Sequence, residues 1–295
     1  MTSHVLVLTA SHALDDSEAE PARVALGSTA GDLRRLGPNA LEIPFRVEGV
    51  NAAEALAEAR EALTDAAIDA NIVRSVGRKK RLLIADMDST IINVECIDEV
   101  ADFAGVKHLV APITERAMRG ELDFEGALVQ RVGLLRCLQV EALQQVYDER
   151  VRLNPGARTL VQTMNAMGAV TALVSGGFTF FSSRVAAAAG FQTNQANVLL
   201  EEDGKLAGLV ALPILGREAK LEALERICSE RGFSAKEAVA VGDGANDLAM
   251  LGKAGLGVAY RAKPAVAKAA DARLDHSDLT AILHLQGIRT EAFRT

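Results

Sequence analysis

The stretch Leu82–Glu95, LLIADMDSTIINVE, decides how the rest of the chain is read. Its first four residues are continuously apolar, the pattern of a short strand buried on both faces of a parallel sheet. The run stops at Asp86, and Asp88 follows with only Met87 between them. A third acid, Glu95, comes seven residues later. Two carboxylates this close push each other's pKa upward unless a cation or a reaction needs both.

Similar apolar runs recur at AVTALVSGG (169–177), AVAVGDG (238–244) and GLGVAY (255–260). Helical patterns lie among them at GARTLVQTMNAMG (156–168), REAKLEALERICSERG (217–232) and NDLAMLGKAG (246–255). Strands alternating with helices predict an α/β fold with a doubly wound, Rossmann-like parallel sheet. The mostly helical residues 97–150, inserted after the first core strand, predict a cap over the sheet's edge. ANVLLEEDGKLAGLVAL (196–212) reads as a hairpin turning at Asp203-Gly204. Residues 78–96 and 151–295 then form the catalytic core. Residues 1–77 predict a small α+β domain with strands at HVLVLTA (4–10), ALEIPFRV (40–47) and DANIVRSV (69–76). Its helix, 51–67, starts at Asn51 as N-cap. The basic run GRKKR (77–81) reads as a solvated linker.

Composition narrows the function. A net charge of −7 over 295 residues argues against nucleic acid as a partner, which needs clustered Lys and Arg. Cys96, Cys137 and Cys228 are odd in number and form no CxxC pair, so neither a zinc site nor a disulfide framework is expected. No apolar run approaches the roughly 18 residues of a membrane span, and the N-terminus does not read as a signal peptide. A cytoplasmic location, with no membrane partner, is the expectation.

Each core strand ends in polar residues. The first ends in Asp86-x-Asp88-Ser89-Thr90, the second in Ser175-Gly176-Gly177, the third in Gly242-Asp243-Gly244-Ala245-Asn246-Asp247. Ligands of open α/β sheets bind outside the carboxyl ends of the strands, so these clusters are expected to converge. So many carboxylates need a cation, and an all-oxygen ligand set favours Mg²⁺. Gly176 and Gly177 let backbone N–H groups approach an oxyanion, and Lys220 can add a point charge. That set suits covalent catalysis through an aspartyl phosphate, with a second acid moving protons.

In this order, DxDST, SGG, a lysine and GDGxND resemble the haloacid dehalogenase superfamily of phosphohydrolases. DMDSTIINVECIDEVA (86–101), TERAMRGELDFEGALVQRVGLL (114–135), SGGFTFF (175–181) and VGDGANDLAMLGKAGLGVAYRAKP (241–264) resemble the phosphoserine phosphatase family more closely. The likeness spans about 82–280. It implies Asp86 as nucleophile and Asp88 as general acid and base. It implies Mg²⁺ held by the Asp86 carboxylate, the Asp88 backbone carbonyl and Asp243, with Asp247 orienting that shell. Ser175, Gly176 and Lys220 would hold the phosphoryl group, with Asn246 beside it. Glu95 would meet the ammonium of a small-molecule substrate, O-phosphoserine, and Arg131 its carboxylate, with Met118 and Phe124 lining the pocket. The implied reaction is hydrolysis to serine and phosphate, the last step of serine biosynthesis. A phosphotransferase, or a phosphatase acting on another small phosphorylated metabolite, is the alternative. Some relatives in that family carry amino-acid-binding modules of the ACT type ahead of the core. Residues 1–77 resemble a reduced version with one strand fewer, which leaves an amino-acid effector there open.

Overall fold

The computed structural model describes residues 3–46, 51–118 and 121–295. The chain opens with β1 (Ser3–Ala10), α1 (Asp16–Ala25), β2 (Arg34–Gly37), β3 (Ala40–Arg46), α2 (Ala52–Glu61) and β4 (Ile68–Arg74). These strands pair antiparallel in the order β2-β3-β1-β4, the ferredoxin-like arrangement. Leu6, Leu8, Leu41 and Ile43 on one sheet face bury Ala19 and Ala22 of α1 and Ala55 and Ala59 of α2. The expected three strands are thus four, and the unit is not reduced. The unread strand, β2, is the sequence RRLG; its two arginines are exposed and it pairs on one side only. A short charged edge strand carries none of the alternation by which strands are recognised.

The core sheet comprises β5 (Leu82–Ala85), β6 (Val170–Phe178), β7 (Thr193–Asn197), β10 (Ala238–Gly242), β11 (Leu256–Tyr260) and β12 (Ala272–Leu274). Its order is β12-β11-β10-β5-β6-β7, parallel throughout. All four residues of β5 are buried, which its place at the sheet's centre requires. Helices α7 (Ala157–Ala166), α8 (Thr179–Ala189), α9 (Glu218–Arg231), α10 (Leu248–Lys253), α11 (Pro264–Ala269) and α12 (Ala281–Leu285) follow or connect these strands.

Between β5 and β6 the chain builds α3 (Cys96–Phe103), α4 (Lys107–Met118), α5 (Phe124–Gly133) and α6 (Glu141–Arg150). Their two connections to the core pair with each other. Ile92 bridges Leu153, the Asn93 N–H donates to the Arg152 carbonyl at 3.1 Å, and the Arg152 N–H donates to Asn93 Oδ1 at 2.8 Å. Asn154 Nδ2 donates to the carbonyls of Thr90 and Ile92 at 2.8 and 3.0 Å, so the two linkers form one ribbon. A hairpin of β8 (Leu199–Glu202) and β9 (Lys205–Val210) turns at Asp203 and Gly204, with φ of 49° and 74°. It joins the helical insertion through the Cys137 N–H, which donates to the Leu206 carbonyl at 2.9 Å.

The N-terminal unit is fastened to the edge of the core sheet by two buried polar side chains. Asn71 acts like a piece of strand: its Nδ2 donates to the Arg273 carbonyl and its Oδ1 accepts the Arg273 N–H, each at 2.9 Å. Asp69 accepts the backbone N–H groups of Asp275, His276 and Ser277. The run GRKKR is solvated only in part: Gly77, Lys79 and Arg81 are exposed, whereas Arg78 and Lys80 are half-buried. The Arg78 guanidinium is nearly buried, pairs with Glu42 at 2.8 Å and donates to the carbonyls of His284 and Leu285. Its charge is drawn inward by a buried carboxylate that the sequence gives no means of locating. Among the described residues, no helix is long and apolar enough to cross a membrane.

Candidate active site

The three polar strand ends meet at one edge of the core sheet. Asp86 follows β5, Ser175–Gly177 lie at the C-terminal end of β6, and Asp243 follows β10; β6 and β10 are the strands on either side of β5. The Asp86 N–H donates to the Val241 carbonyl at 3.0 Å, extending the β5–β10 ladder to the first site residue. After Asp86 the chain makes a wide turn over Met87–Ile91, with Ser89 at φ 55°. A non-glycine residue in that left-handed region stores local strain of the kind found at functional sites. Here it brings the Ser89 hydroxyl to Glu95, to which it donates at 2.7 Å.

The two acids of the motif have different surroundings. Asp86 is 5% exposed, and its Oδ1 accepts from the Met87 N–H and the Lys220 ammonium, both at 2.8 Å. Asp88 turns the other way, accepting from the Cys96 N–H at 2.9 Å and from the Ser175 hydroxyl at 3.2 Å. Burial, reinforced by Asp247, holds the Asp86 carboxyl well above the ordinary range, with Lys220 opposing. Burial and then the charge of Glu95 push Asp88 up to about 6.

Lys220, in the first turn of α9, is 2% exposed, and its ammonium bridges Asp86 at 2.8 Å and Asp247 at 2.6 Å. Burial works against its charge, but the two carboxylates outweigh it and raise its pKa. The other Asp247 oxygen accepts from the N–H groups of Asp243 and Gly244 at 3.1 and 2.9 Å. Both Asp247 oxygens are therefore engaged. Asp243 accepts from the Thr90 hydroxyl at 3.2 Å, and burial followed by the Asp247 charge raises it to about 6.

One carboxylate oxygen each from Asp86, Asp243 and Asp247 lie within 4.8 Å of one another. Among the described residues only Lys220 lies at ion-pair distance, from Asp86 and Asp247 but not from Asp243. The excess of negative charge, all of it on oxygen, suits a hard divalent cation.

The glycines are fixed by close approach. A Cβ at Gly177 would lie 2.8 Å from Asp88 Oδ2 and 3.1 Å from Ser175 Oγ. One at Gly176 would lie 2.8 Å from Phe124 Cζ, because the first residue of α5 lays its ring over this strand end. Arg131, on the same helix, is half-buried; its Nε donates to the Ala127 carbonyl at 3.3 Å. Burial lowers its pKa, against the pull of Asp98 and Glu95. Glu95 is exposed at the start of α3. Asn246 sits half-buried in the turn Ala245–Asp247. Met118 ends α4, and its side chain lies outside the described residues.

Sequence reasoning missed three supports. The Thr90 hydroxyl steadies Asp243, and the DST triplet could have suggested it. The Cys96 N–H holds Asp88, a role that no residue identity signals. Asn197, 2% exposed, donates to the carbonyls of Gly176 and Leu215 and accepts the Leu215 N–H, bracing Gly176 from behind.

Residues 83–252 match the family model of the haloacid dehalogenase-like hydrolases. A phosphoserine phosphatase of Polaromonas sp. is 48% identical over 210 residues, covering 70% of this chain and 89% of that protein. A probable phosphoserine phosphatase from Vibrio cholerae superposes with a TM-score of 0.80 at 30% identity, covering 99% of this chain and 88% of the other. A structure described as a phospho-aspartyl intermediate analogue of phosphoserine phosphatase is 41% identical, with a TM-score of 0.65, over 72% of this chain and all of the other.

Proposed function

The chain belongs to the haloacid dehalogenase-like hydrolase family, and on that footing we propose that it hydrolyses O-phosphoserine to serine and phosphate through an aspartyl phosphate on Asp86. The observation that carries the reading is the division between the two acids. Asp86 faces the Lys220 ammonium, which opposes the burial that raises its pKa, while Asp88 has no cation beside it and is raised to about 6 next to a hydroxyl. A nucleophile needs a cation to keep it ionised, whereas a proton donor must titrate near the working pH.

Lys220, the Ser175 hydroxyl and the Gly176 N–H receive the phosphoryl oxygens, with Asn246 beside them. An Asp86 carboxylate oxygen attacks phosphorus, and the bond from phosphorus to the serine oxygen breaks. Asp88 gives its proton to the departing oxygen. Water then enters; Asp88 takes a proton from it as its oxygen attacks phosphorus and frees Asp86. The Asp86 and Asp243 carboxylates and the Asp88 carbonyl would hold Mg²⁺, with Asp247 orienting them, and the ion would supply positive charge to the phosphoryl oxygens. Glu95 takes the substrate ammonium and Arg131 its carboxylate, with Phe124 and Met118 enclosing the body. Residues 78–96 and 151–295 act as catalytic core, 97–150 as cap and 1–77 as an ACT-like module.

Phosphate release in Mg²⁺ from O-phosphoserine, O-phosphothreonine, 3-phospholactate and glucose 6-phosphate tests the substrate. O-Phosphoserine is expected to lead in kcat/KM by about 10² or more, and equal rates across the panel would refute the reading. Glu95→Gln is expected to lower kcat/KM for O-phosphoserine by roughly 10–100-fold, the worth of a hydrogen bond to a charged group. The rate on 3-phospholactate, which has no ammonium, should change far less. Equal losses on both would remove Glu95 from recognition.

The cation is tested by stability. In the metal-free protein Asp243 binds its proton more tightly than an unfolded carboxyl does. That contribution to stability is therefore present at low pH and is lost as pH rises through about 6. Mg²⁺ competes with the same proton. At about a hundred times its Kd, it should raise Tm by roughly 5–10 °C at pH 7.5. Near pH 5 the rise should be small. Scanning calorimetry at both pH values measures the difference, and a rise independent of pH would contradict the assignment of Asp243.

A further inference from the structure

Three residues of the basic run Gly77–Arg81, Gly77, Arg78 and Lys80, play no part in the chemistry above and line a cavity of about 680 Å³ between the N-terminal sheet and the core. That volume lies within the roughly 300–1,000 Å³ usual for small-molecule sites. Apolar wall comes from both sides: Leu56 and Ile72 from the N-terminal unit, Leu256 and Leu285 from the core. Arg74, Lys80 and Lys236 bring positive charge to the same space, against one lining carboxylate among the described residues, that of Asp271. One Asp271 oxygen already accepts the Gly257 N–H at 2.8 Å.

The fourth lining cation, Arg78, is committed to Glu42. The Lys80 ammonium donates only to carbonyls, those of Gly77 at 3.0 Å and Lys236 at 2.8 Å, so its charge is solvated but not cancelled. Arg74 and Lys236 are exposed, and neither has an ion pair among the described residues. His4 Nδ1, also on the wall, is buried with no hydrogen-bond partner. A chain of net charge −7 has gathered three cations, none with an ion pair among the described residues, around an apolar hollow.

The cavity is separate from the catalytic site. Lys236 precedes β10 and Leu256 opens β11, whereas Asp243 follows the far end of β10. Five strand residues, about 16 Å, divide the two.

We propose that this cavity is a second binding site for a small organic anion, a carboxylate or phosphate head on a compact apolar body. The head meets Arg74, Lys80 and Lys236, and the body rests against Leu56, Ile72, Leu256 and Leu285. Because the walls belong to both units, the ligand adds a bridge to those made by Asp69 and Asn71.

The chain has no tryptophan, so one introduced indole reports alone. Val76, on the cavity wall and 87% exposed, is the place for it. Full-length V76W protein in Mg²⁺ is titrated with 8-anilinonaphthalene-1-sulfonate, an anion with an apolar body. One equivalent is expected to bind and quench the indole by energy transfer. Adding R74E and K236E, both at exposed positions, is expected to weaken that binding about tenfold or more. Phosphate release from O-phosphoserine should stay unchanged, which also shows that the variant is folded. Hexanoate or hexyl phosphate is then expected to displace the dye, and whichever acts at lower concentration identifies the head group. Dye binding unaffected by the charge reversals, displacement by neither anion, or equal displacement by hexylammonium would each overturn the proposal. None of these outcomes bears on the catalytic reading.

Discussion

Asp86→Asn lowers phosphate release from O-phosphoserine by at least about 10⁴-fold, the scale of loss when a covalent nucleophile is removed. Asparagine keeps the shape of the side chain, and its amide oxygen can still accept from the Met87 N–H and from Lys220. The rest of the site is therefore preserved while the attacking charge is gone. Stability gives an independent check with its own sign. Burial and the neighbouring Asp247 hold the Asp86 carboxyl above its ordinary range, so its charge is a cost in the metal-free fold. The metal-free variant is expected to melt no lower than the parent. Rapid quenching of the parent with phosphorus-labelled substrate should yield labelled protein, and the variant should yield none. Retained turnover in the variant would end the covalent mechanism.

Lys220→Met is expected to damage both stability and rate. The ammonium is the shared partner of two buried carboxylates, at 2.8 and 2.6 Å. Breaking a buried pair by removing one member costs about 3–5 kcal/mol, because a charge is left uncompensated. For a chain of this size that is a fall in Tm of roughly 10 °C. Without Lys220 the Asp86 carboxyl, already held above its ordinary range, rises further. Its protonation should restore stability as pH falls, so the deficit shrinks toward acid pH. Combining K220M with D247N should recover much of the Tm, since one stranded charge is then gone. It should recover none of the lost kcat/KM, expected to be about 10³-fold, because the cation facing the phosphoryl group is still missing. Recovery of the rate together with stability would make Lys220 a structural residue only.

The central sheet was legible because its strands are buried on both faces. LLIA, AVAVG and LGVAY have no polar residue with which to disguise themselves. The outer strands were not. TNQAN of β7 and ARL of β12 pair on one side and carry polar or charged residues, as does RRLG of β2 in the N-terminal unit. Edge strands are held by one ladder and by side chains from elsewhere, and neither leaves a period in the sequence. The fastening of the N-terminal unit was hidden for a related reason. Asp69 and Asn71 read as polar members of a strand, while their partners are backbone groups some two hundred residues away.

What the sequence determined by itself is the set of groups at the site, since parallel strands deliver their C-terminal residues to one edge whatever the loops do. Asp86, Asp88, Ser175, Lys220 and Asp243 follow from that rule and from their residue types. Only the tertiary structure decided how the charges are divided. Asp86 faces Lys220, Asp88 faces Ser175 and the Cys96 N–H, and Asp247 is held by Lys220 on one oxygen and two backbone N–H groups on the other. It also converted the basic run Gly77–Arg81 from a supposed linker into a clamp at Arg78 and a cavity wall at Lys80. The reason is the same in both cases. A carboxylate or an ammonium carries its charge wherever it lies, but its pKa, and the job that pKa permits, depend on distances of about 3 Å between residues brought together only by the fold.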